Sequence, residues 1–222
     1  MDKMGRYIVG IDEVGRGPIA GPVAVGAFIC REDFFTTITI DTPLRDSKKL
    51  TKIQREKWFE YLKEEKQKGN CDFAVSLVSA EQIDKVGIVK CIQKALDQSL
   101  AKSVSQAYAN FRALPSLRGF PHAENFQNPA SLYIYLDGGL KAPKEYTNQE
   151  TIIKGDELHP VISCASIMAK VSRDTLMEKY GKEFPEYGFE KHMGYGTKAH
   201  YDAIKKHDMT VLHRRSFLKN IK

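Results

Sequence analysis

Residues 8–18 read IVGIDEVGRGP: an apolar run, Ile8-Val9-Gly10-Ile11, then two adjacent acids, Asp12 and Glu13, then Gly15-Arg16-Gly17-Pro18. The apolar run is strand-like and the glycine–proline cluster is a turn, so the acids stand at the mouth of a strand. Neighbours in a regular strand point to opposite faces. For both carboxylates to reach one place, the strand must end or bulge at Asp12. The expected strands are therefore residues 6–11 and, after the turn, 22–30.

The same shape recurs twice. SLYIYLDGG (131–139) is a strand ending in Asp137 and two glycines, and TIIKGDE (151–157) is a short strand ending in Gly155-Asp156. Open α/β sheets gather functional groups outside the carboxyl ends of their strands. Carboxylates converging there repel one another unless a cation sits among them. Hard oxygen donors suit Mg²⁺ or Mn²⁺. Any one Asp-Gly is more often a plain turn than a ligand. Asp12 beside Glu13 is the pair that a turn does not need.

The rest of the chain supplies the frame. Thr51 with Gln54 makes a capping box that opens a charged amphipathic helix running to Gly69. CDFAVSLVS (71–79) alternates like a strand, and Ile88, Cys91, Ile92, Ala95, Leu96 and Leu100 share the face of a helix. From Gln106 to Pro129 there is no period, which reads as a long loop or insertion. Residues from Val161 to about Phe184 are helical until Pro185 stops them, and another helix runs from near Thr197 to His207. The order predicts an α/β core over residues 1–184 and a small, basic, helical C-terminal appendage over 185–222.

Composition narrows the class. The chain has 222 residues, 42% apolar and 28% charged, enough for a substantial core. No apolar run approaches the ~20 residues of a membrane span, and the N-terminus does not read as a secretory signal. Cys30, Cys71, Cys91 and Cys164 lack metal or redox spacing and read as buried, reduced thiols of a cytoplasmic protein. Net charge is +6, and the last 34 residues hold eight Lys or Arg against three Asp or Glu, which suits a polyanion partner. Ser163, Ser166 and Ser172 have no glycine elbow and no base, so serine nucleophile chemistry is not expected. The six histidines read as structural or solvent-facing. Asp174 reads as a structural helical residue, which leaves Asp156 as the fourth acid.

Six blocks in order, GIDEVGRGPIAGPV (10–23), DSKKL (46–50), YLDGG (135–139), KGDELHPVISCASIMAKVSRD (154–174), HMGYGTKAH (192–200) and HRRSF (213–217), resemble the ribonuclease HII enzymes, the type 2 ribonucleases H. The resemblance implies a ribonuclease H-like α/β fold with a central mixed sheet flanked by helices. It implies an endonuclease that cuts the RNA strand of RNA–DNA hybrids and single ribonucleotides embedded in duplex DNA, acting as a monomer. Asp12, Glu13, Asp137 and Asp156 would then be the catalytic, metal-binding acids for Mn²⁺ or Mg²⁺. Gly15, Arg16 and Gly17 would hold the ribonucleotide at its 2′-hydroxyl, and Tyr195 would stack on the sugar and sense the junction from RNA to DNA. Lys48, Lys49, Lys170, Arg173, Arg214 and Arg215 lie in these blocks and are expected at phosphates. Gly196 stands where the family usually has proline, so a looser Tyr195 loop is expected. The C-terminal RRSFLKNIK carries no recognisable sliding-clamp peptide, and no protein partner is read from it.

Overall fold

The computed structural model describes residues 6–113 and 128–219. β1 (Tyr7–Val14), β2 (Val23–Arg31) and β3 (Cys71–Val78) form an antiparallel meander. β4 (Leu132–Asp137) and β5 (Gln149–Ile152) add in parallel on the other side of β1, giving the order β3-β2-β1-β4-β5. The expected mixed sheet is therefore present. Among the described residues no helix is long and apolar enough to cross a membrane.

Both faces of the sheet are covered, which is why its central strands are apolar almost throughout. Val9, Ile11, Val23, Val25, Ala27 and Ile29 face α3 (Ile88–Ala113) and pack on Cys91, Ile92, Ala95, Leu96 and Leu100. Ile8, Phe28 and Cys30 face the other way, onto α5 (Pro160–Glu183) and the Trp58 and Leu62 side of α1 (Lys52–Gln67). The Thr51–Gln54 capping box opens α1 as expected, with Thr51 Oγ1 accepting from Gln54 N and Gln54 Oε1 from Thr51 N.

Close approach at two glycines sets the height of α5. A side chain at Gly10 would run into the Val161 carbonyl, and one at Gly26 into the Ala165 carbonyl. With both positions bare, the helix lies directly on the strands, and every residue from Val161 to Ala169 is buried. Gly26 is also the cross-strand partner of Asp12. The bare position thus brings α5 over the first acid of the opening stretch.

Three elements depart from the sequence reading. α3 does not stop near Gln106 but continues to Ala113. Its buried face there is carried by Ser103 and Ala107, too small to register as a hydrophobic stripe, and Asn110 Nδ2 donates to Asp72 Oδ2 at 2.7 Å. The remainder of the expected loop, residues 114–127, lies outside the described residues. β5 ends at Ile152, and Gly155–Leu158 form a helical turn, α4, so Asp156 is delivered by that turn rather than by the strand end. β1 runs past Asp12 to Val14.

The C-terminal part builds a third apolar cluster. α6 (Phe189–His192) and α7 (Lys198–His207) contribute Phe189 and Ile204, Tyr187 and Leu218 join them, and α5 lends Met177. Ile19 and Ala20, from the turn after β1, complete it.

Candidate active site

The pairing of β1 explains how adjacent acids share one pocket without a strand break. On the β2 side the ladder is regular through Asp12–Gly26, Glu13–Val25 and Val14–Ala24, so the expected end or bulge at Asp12 is not there. On the β4 side the ladder stops at Ile11–Leu136. The last residue of β4, Asp137, pairs instead with Ile152 of β5. A notch is left beside the end of β1, and Asp12, Glu13 and Asp137 border it. Asp12 faces α5, while Glu13 is half-buried at the rim, where its Oε1 meets Arg16 Nη1 at 3.3 Å.

Electrostatics show that the four acids form one group. Burial pushes the Asp12 carboxyl well above the usual range; the Ser166 hydroxyl opposes the shift, and Asp137, Glu13 and Asp156 add to it. Glu13 is raised by burial, against the pull of Arg16 and with Asp137 adding to it. Asp156, 4% exposed, is raised by burial, opposed by Lys48, and pushed further by Asp46 and Asp137. Like charges gathered in a poorly solvated pocket carry a real cost. Lys48 Nζ, 3.3 Å from Asp156 Oδ2, and the Arg16 guanidinium relieve only part of it.

An all-oxygen donor set with surplus negative charge fits a hard divalent cation. Among the described residues no three carboxylate, His or Cys side chains are already gathered round one point at ligand geometry. Each of the four acids is engaged by a neighbour: Asp12 Oδ1 accepts from Glu13 N at 2.7 Å, Glu13 Oε1 from Arg16, Asp137 Oδ1 from Gly155 N at 2.7 Å, and Asp156 Oδ2 from Lys48. Those bonds hold the side chains in place and leave each carboxylate a second oxygen.

The DSKKL segment closes the other side. Ser47 Oγ lies 2.8 Å from Ser166 Oγ, which joins this loop to the helix residue that hydrogen-bonds Asp12. Asp46 Oδ1 accepts from Lys48 N at 2.8 Å and fixes the turn from which Lys48 reaches Asp156. Lys49 pairs with Glu157 on α4. Lys48 and Lys49 are thus exposed cations on the rim of the pocket.

Arg173 and Arg214 are placed differently from the phosphate-contacting role expected of them. Both are fully buried. Arg173, on α5, donates to the carbonyls of Pro22 at 2.9 Å, Met193 at 3.0 Å and Ala20 at 3.3 Å. Arg214 donates to those of Gly15 at 2.7 Å, Arg16 at 3.0 Å and Gly21 at 3.0 Å. A guanidinium with no exposed surface cannot meet a phosphate from solution. Instead these two together grip the Gly15–Pro22 turn, and Arg16 and Gly17 stay exposed at its tip. Gly15 has φ +86°, and a side chain there would collide with Arg173 Nε, so the grip requires glycine. Lys170 also faces inward, paired with Asp174 at 2.9 Å, while Arg215 is exposed and its backbone N donates to Asp84 Oδ2 at 2.8 Å.

Tyr195 stands over the tip of that turn. A Cβ on Gly17 would lie 3.9 Å from Tyr195 Cε1, in ordinary contact with the ring, and Tyr195 is 48% exposed. Backbone bonds tie the two loops together: Ile19 N donates to Gly194 O at 2.9 Å, Gly21 N to Leu212 O at 2.8 Å and Arg214 N to Ile19 O at 2.8 Å. At Gly196, where a looser loop is expected, the following residues supply contacts. The Tyr195 carbonyl accepts from Thr197 N at 2.9 Å, and the Tyr201 ring fills the space beside Gly196.

An acidic notch, a glycine turn with exposed backbone and an aromatic ring above it thus share one rim. The ribonuclease HII family profile matches residues 9–118 and 120–220, nearly the whole chain. The chain belongs to the ribonuclease HII family. It is 37% identical over 220 residues to ribonuclease HII of Clostridioides difficile strain 630, covering 99% of this chain and 73% of that protein. With ribonuclease HII of Bacillus cereus strain Q1 the identity is 38% over 211 residues, covering 95% and 68%. Among solved structures, ribonuclease H2 of Pyrococcus horikoshii OT3 superposes with a TM-score of 0.65 at 27% identity, covering 97% of this chain and 96% of that one. Bst-RNase HIII in complex with Mn²⁺ gives a TM-score of 0.64 at 17% identity over 98% and 70%, which shows the shared fold. As a ribonuclease HII family member, the chain is a hydrolase of the ribonuclease H class, metal-dependent endonucleases whose substrates are RNA–DNA hybrids.

The sequence pointed to the acids, the glycine turn and Tyr195, and the fold brings them to one rim. It missed Ser166, whose signal was only its place one turn beyond Ile162 in the buried helix. It also missed the clamps made by Arg173 and Arg214, because an arginine in a basic segment looks like a solvated charge until its burial is known. His200 and His213, read as structural or solvent-facing, are both buried.

Proposed function

We propose that this chain cleaves the RNA strand of RNA–DNA hybrids and the phosphodiester on the 5′ side of single ribonucleotides embedded in duplex DNA, leaving 5′-phosphate and 3′-hydroxyl ends. The observation that carries this reading is the Tyr195 ring, 3.9 Å from where a Cβ on Gly17 would lie, next to Arg16, whose guanidinium meets Glu13. A bare, exposed backbone next to a half-exposed aromatic ring offers a ribonucleotide polar groups and a stacking surface side by side. The 2′-hydroxyl that separates RNA from DNA can both donate to and accept from such a backbone.

Asp12, Glu13, Asp137 and Asp156 would hold Mn²⁺ or Mg²⁺. When bound, divalent ions of this kind activate a water for in-line attack and stabilise the departing 3′ oxygen. The protein's own residues do the positioning. Ser166 fixes the Asp12 carboxylate from α5, the Gly155 N–H fixes Asp137, and Lys48 neutralises Asp156 until a cation or phosphate competes for it. Arg16 at the turn and Lys48, Lys49 and Arg215 on the surface supply phosphate contacts. No protein nucleophile is needed. Four free, buried cysteines suit a cytoplasmic enzyme that works beside its nucleic-acid substrate.

A duplex with one ribonucleotide, incubated with chelator or with Mn²⁺, tests the reading. Cleavage 5′ to that ribonucleotide, abolished by chelator and by folded Asp12→Asn or Asp137→Asn, is the expected result. Near-native cleavage by either variant would remove the acids from the mechanism, and cleavage of long hybrids alone would remove the single-ribonucleotide specificity.

A further inference from the structure

Beneath Tyr195 lies a chain of buried imidazoles that the catalytic chemistry does not use. His200 and His213 are 0% and 2% exposed, and their Nε2 atoms are 3.1 Å apart. His200 Nδ1 lies 2.9 Å from the Tyr195 carbonyl, and His213 Nδ1 lies 2.9 Å from the backbone N of Thr210. His192 stacks on His200 with ring centroids 4.3 Å apart, and Phe189 meets His200 edge-on at 5.4 Å.

The backbone donors settle where each proton lies. Thr210 N–H must donate, so His213 Nδ1 is bare and its proton sits on Nε2. That Nε2–H points at His200 Nε2, which must therefore accept, and the His200 proton is left on Nδ1, aimed at the Tyr195 carbonyl. Each ring fixes the tautomer of the next, from Thr210 to Tyr195. His192 is set the same way: Gly194 N donates to its Nδ1 at 3.2 Å, and its Nε2 meets the Tyr187 carbonyl at 2.9 Å. A second proton on His200 would face the His213 Nε2–H, and a second on His213 would face the Thr210 N–H. Burial holds both rings at about 4; the neighbouring imidazoles push the same way, as does Arg215 at His213, so the chain stays neutral at working pH.

We propose that His213 and His200 form a tautomer-fixed relay that holds the Tyr195 carbonyl, and with it the Tyr195 ring over Gly17, making both histidines positioning residues for recognition of an embedded ribonucleotide. The inference rests on the reading of Tyr195 as the residue that meets the ribonucleotide. The Tyr195 carbonyl also accepts from Thr197 N at 2.9 Å, but His200 is the side chain that ties it to the buried cluster, and without that bond the ring would keep its chemistry and be held less firmly. Misplacement of a positioning group by about 1 Å costs up to ~100-fold in rate.

Nitrogen-15 NMR of the full chain tests the relay directly: His200 is expected as the Nδ1–H tautomer and His213 as the Nε2–H tautomer near pH 7. Function is tested by the ratio of kcat/KM on a single-ribonucleotide duplex to kcat/KM on a long hybrid. His200→Asn keeps an amide donor where Nδ1 stands and is expected to retain the ratio. His200→Leu removes the donor and is expected to lower the ratio roughly 10- to 100-fold, with no further loss when combined with Tyr195→Ala. Equal ratios for the Asn and Leu variants, or the opposite His200 tautomer, would overturn the inference, and the tautomer decides alone if the Leu variant fails to fold. If Tyr195→Ala leaves the ratio at its native value, the reading of Tyr195 falls and the relay's role in recognition falls with it. If only the His200 variants leave it unchanged, the relay falls and Tyr195 stands.

Discussion

Arg214 stands 199 positions beyond Gly15 in the chain, and its Nη2 donates to the Gly15 carbonyl at 2.7 Å. With Arg173 it holds six carbonyls of the turn and its neighbours, at distances from 2.7 to 3.3 Å. Burying two cations side by side is costly, and burial together with the like charge of Arg173 pulls Arg214 down to about 9. Such a cost is tolerated where the groups fix a shape that neutral side chains would not hold. Arg214→Ala is therefore expected to destabilise the fold by about 3 kcal/mol, since it strands buried carbonyls. Arg214→Lys, retaining the charge but not the planar fork, should fold better and still lower kcat/KM on the ribonucleotide duplex. Urea denaturation and steady-state kinetics on the two variants check this, and a Lys variant with native kinetics would show that charge alone suffices.

Asp12 offers a different test because its charge works against folding. Its folded pKa lies above its unfolded one, so the stability it contributes is full below the unfolded value and is lost as pH rises through the folded value. At neutral pH without metal, the ionised carboxylate is thus a burden shared with Glu13 and Asp156. Asp12→Asn keeps an oxygen for the Glu13 N–H and gains a donor for Ser166, and is expected to raise the metal-free Tm at pH 7.5 by roughly 2–6 °C. Added Mn²⁺ should stabilise the native chain more than the variant. Calorimetry with and without Mn²⁺ decides it: a variant that melts lower without metal would contradict the assignment of strain to Asp12.

How much of this was legible in the chain follows from which interactions are local. Strand ends, the Thr51 cap and the long helix stopped by Pro185 rest on residues a few positions apart, so pattern reading reaches them. The extent of β1 does not. Asp12 and Glu13 are poor strand formers beside a glycine turn, yet β2 offers Val25 and Ala24 as partners and carries the ladder on to Val14. The end of α3 was obscured because Ser103 and Ala107 are buried without being large. In the site, the acids advertise themselves by type, whereas Ser166, Arg173 and Arg214 acquire their roles through contacts more than 100 positions away.

The imidazole pair predicts an acid-side signature. His200 and His213 have folded values near 4 against 6.5 unfolded, so their contribution is full above 6.5 and is lost as pH falls through 4. The raised carboxylates have the opposite sign and gain as pH falls, so the native chain alone shows a partial cancellation. Comparing it with the His200→Asn/His213→Gln pair isolates the histidines. Between pH 6.5 and 4 the double variant is expected to lose stability less steeply, the difference amounting to a few kcal/mol. Parallel Tm–pH curves for the two proteins would mean that the rings are charged in the folded state.

Burial also changes the count of charges available to a duplex. Of the seven basic residues expected at the substrate, Arg173 and Arg214 are enclosed and Lys170 is paired with Asp174, while Arg16, Lys48, Lys49 and Arg215 remain at the surface. Each phosphate contact releases counterions and adds about 0.9 to the slope of log K against log salt. Four contacts give a slope of roughly −3 to −4, against about −6 if all seven cations met phosphates. Arg16→Gln or Lys48→Gln should each flatten the slope by about 0.9. Arg214→Lys should weaken binding with the slope unchanged, because the turn is disturbed while no counterion site is lost. Fluorescence anisotropy of a labelled hybrid across a salt series, in Ca²⁺ to suppress cleavage, separates the two. A slope that flattens on changing Arg214 would place that residue at a phosphate after all.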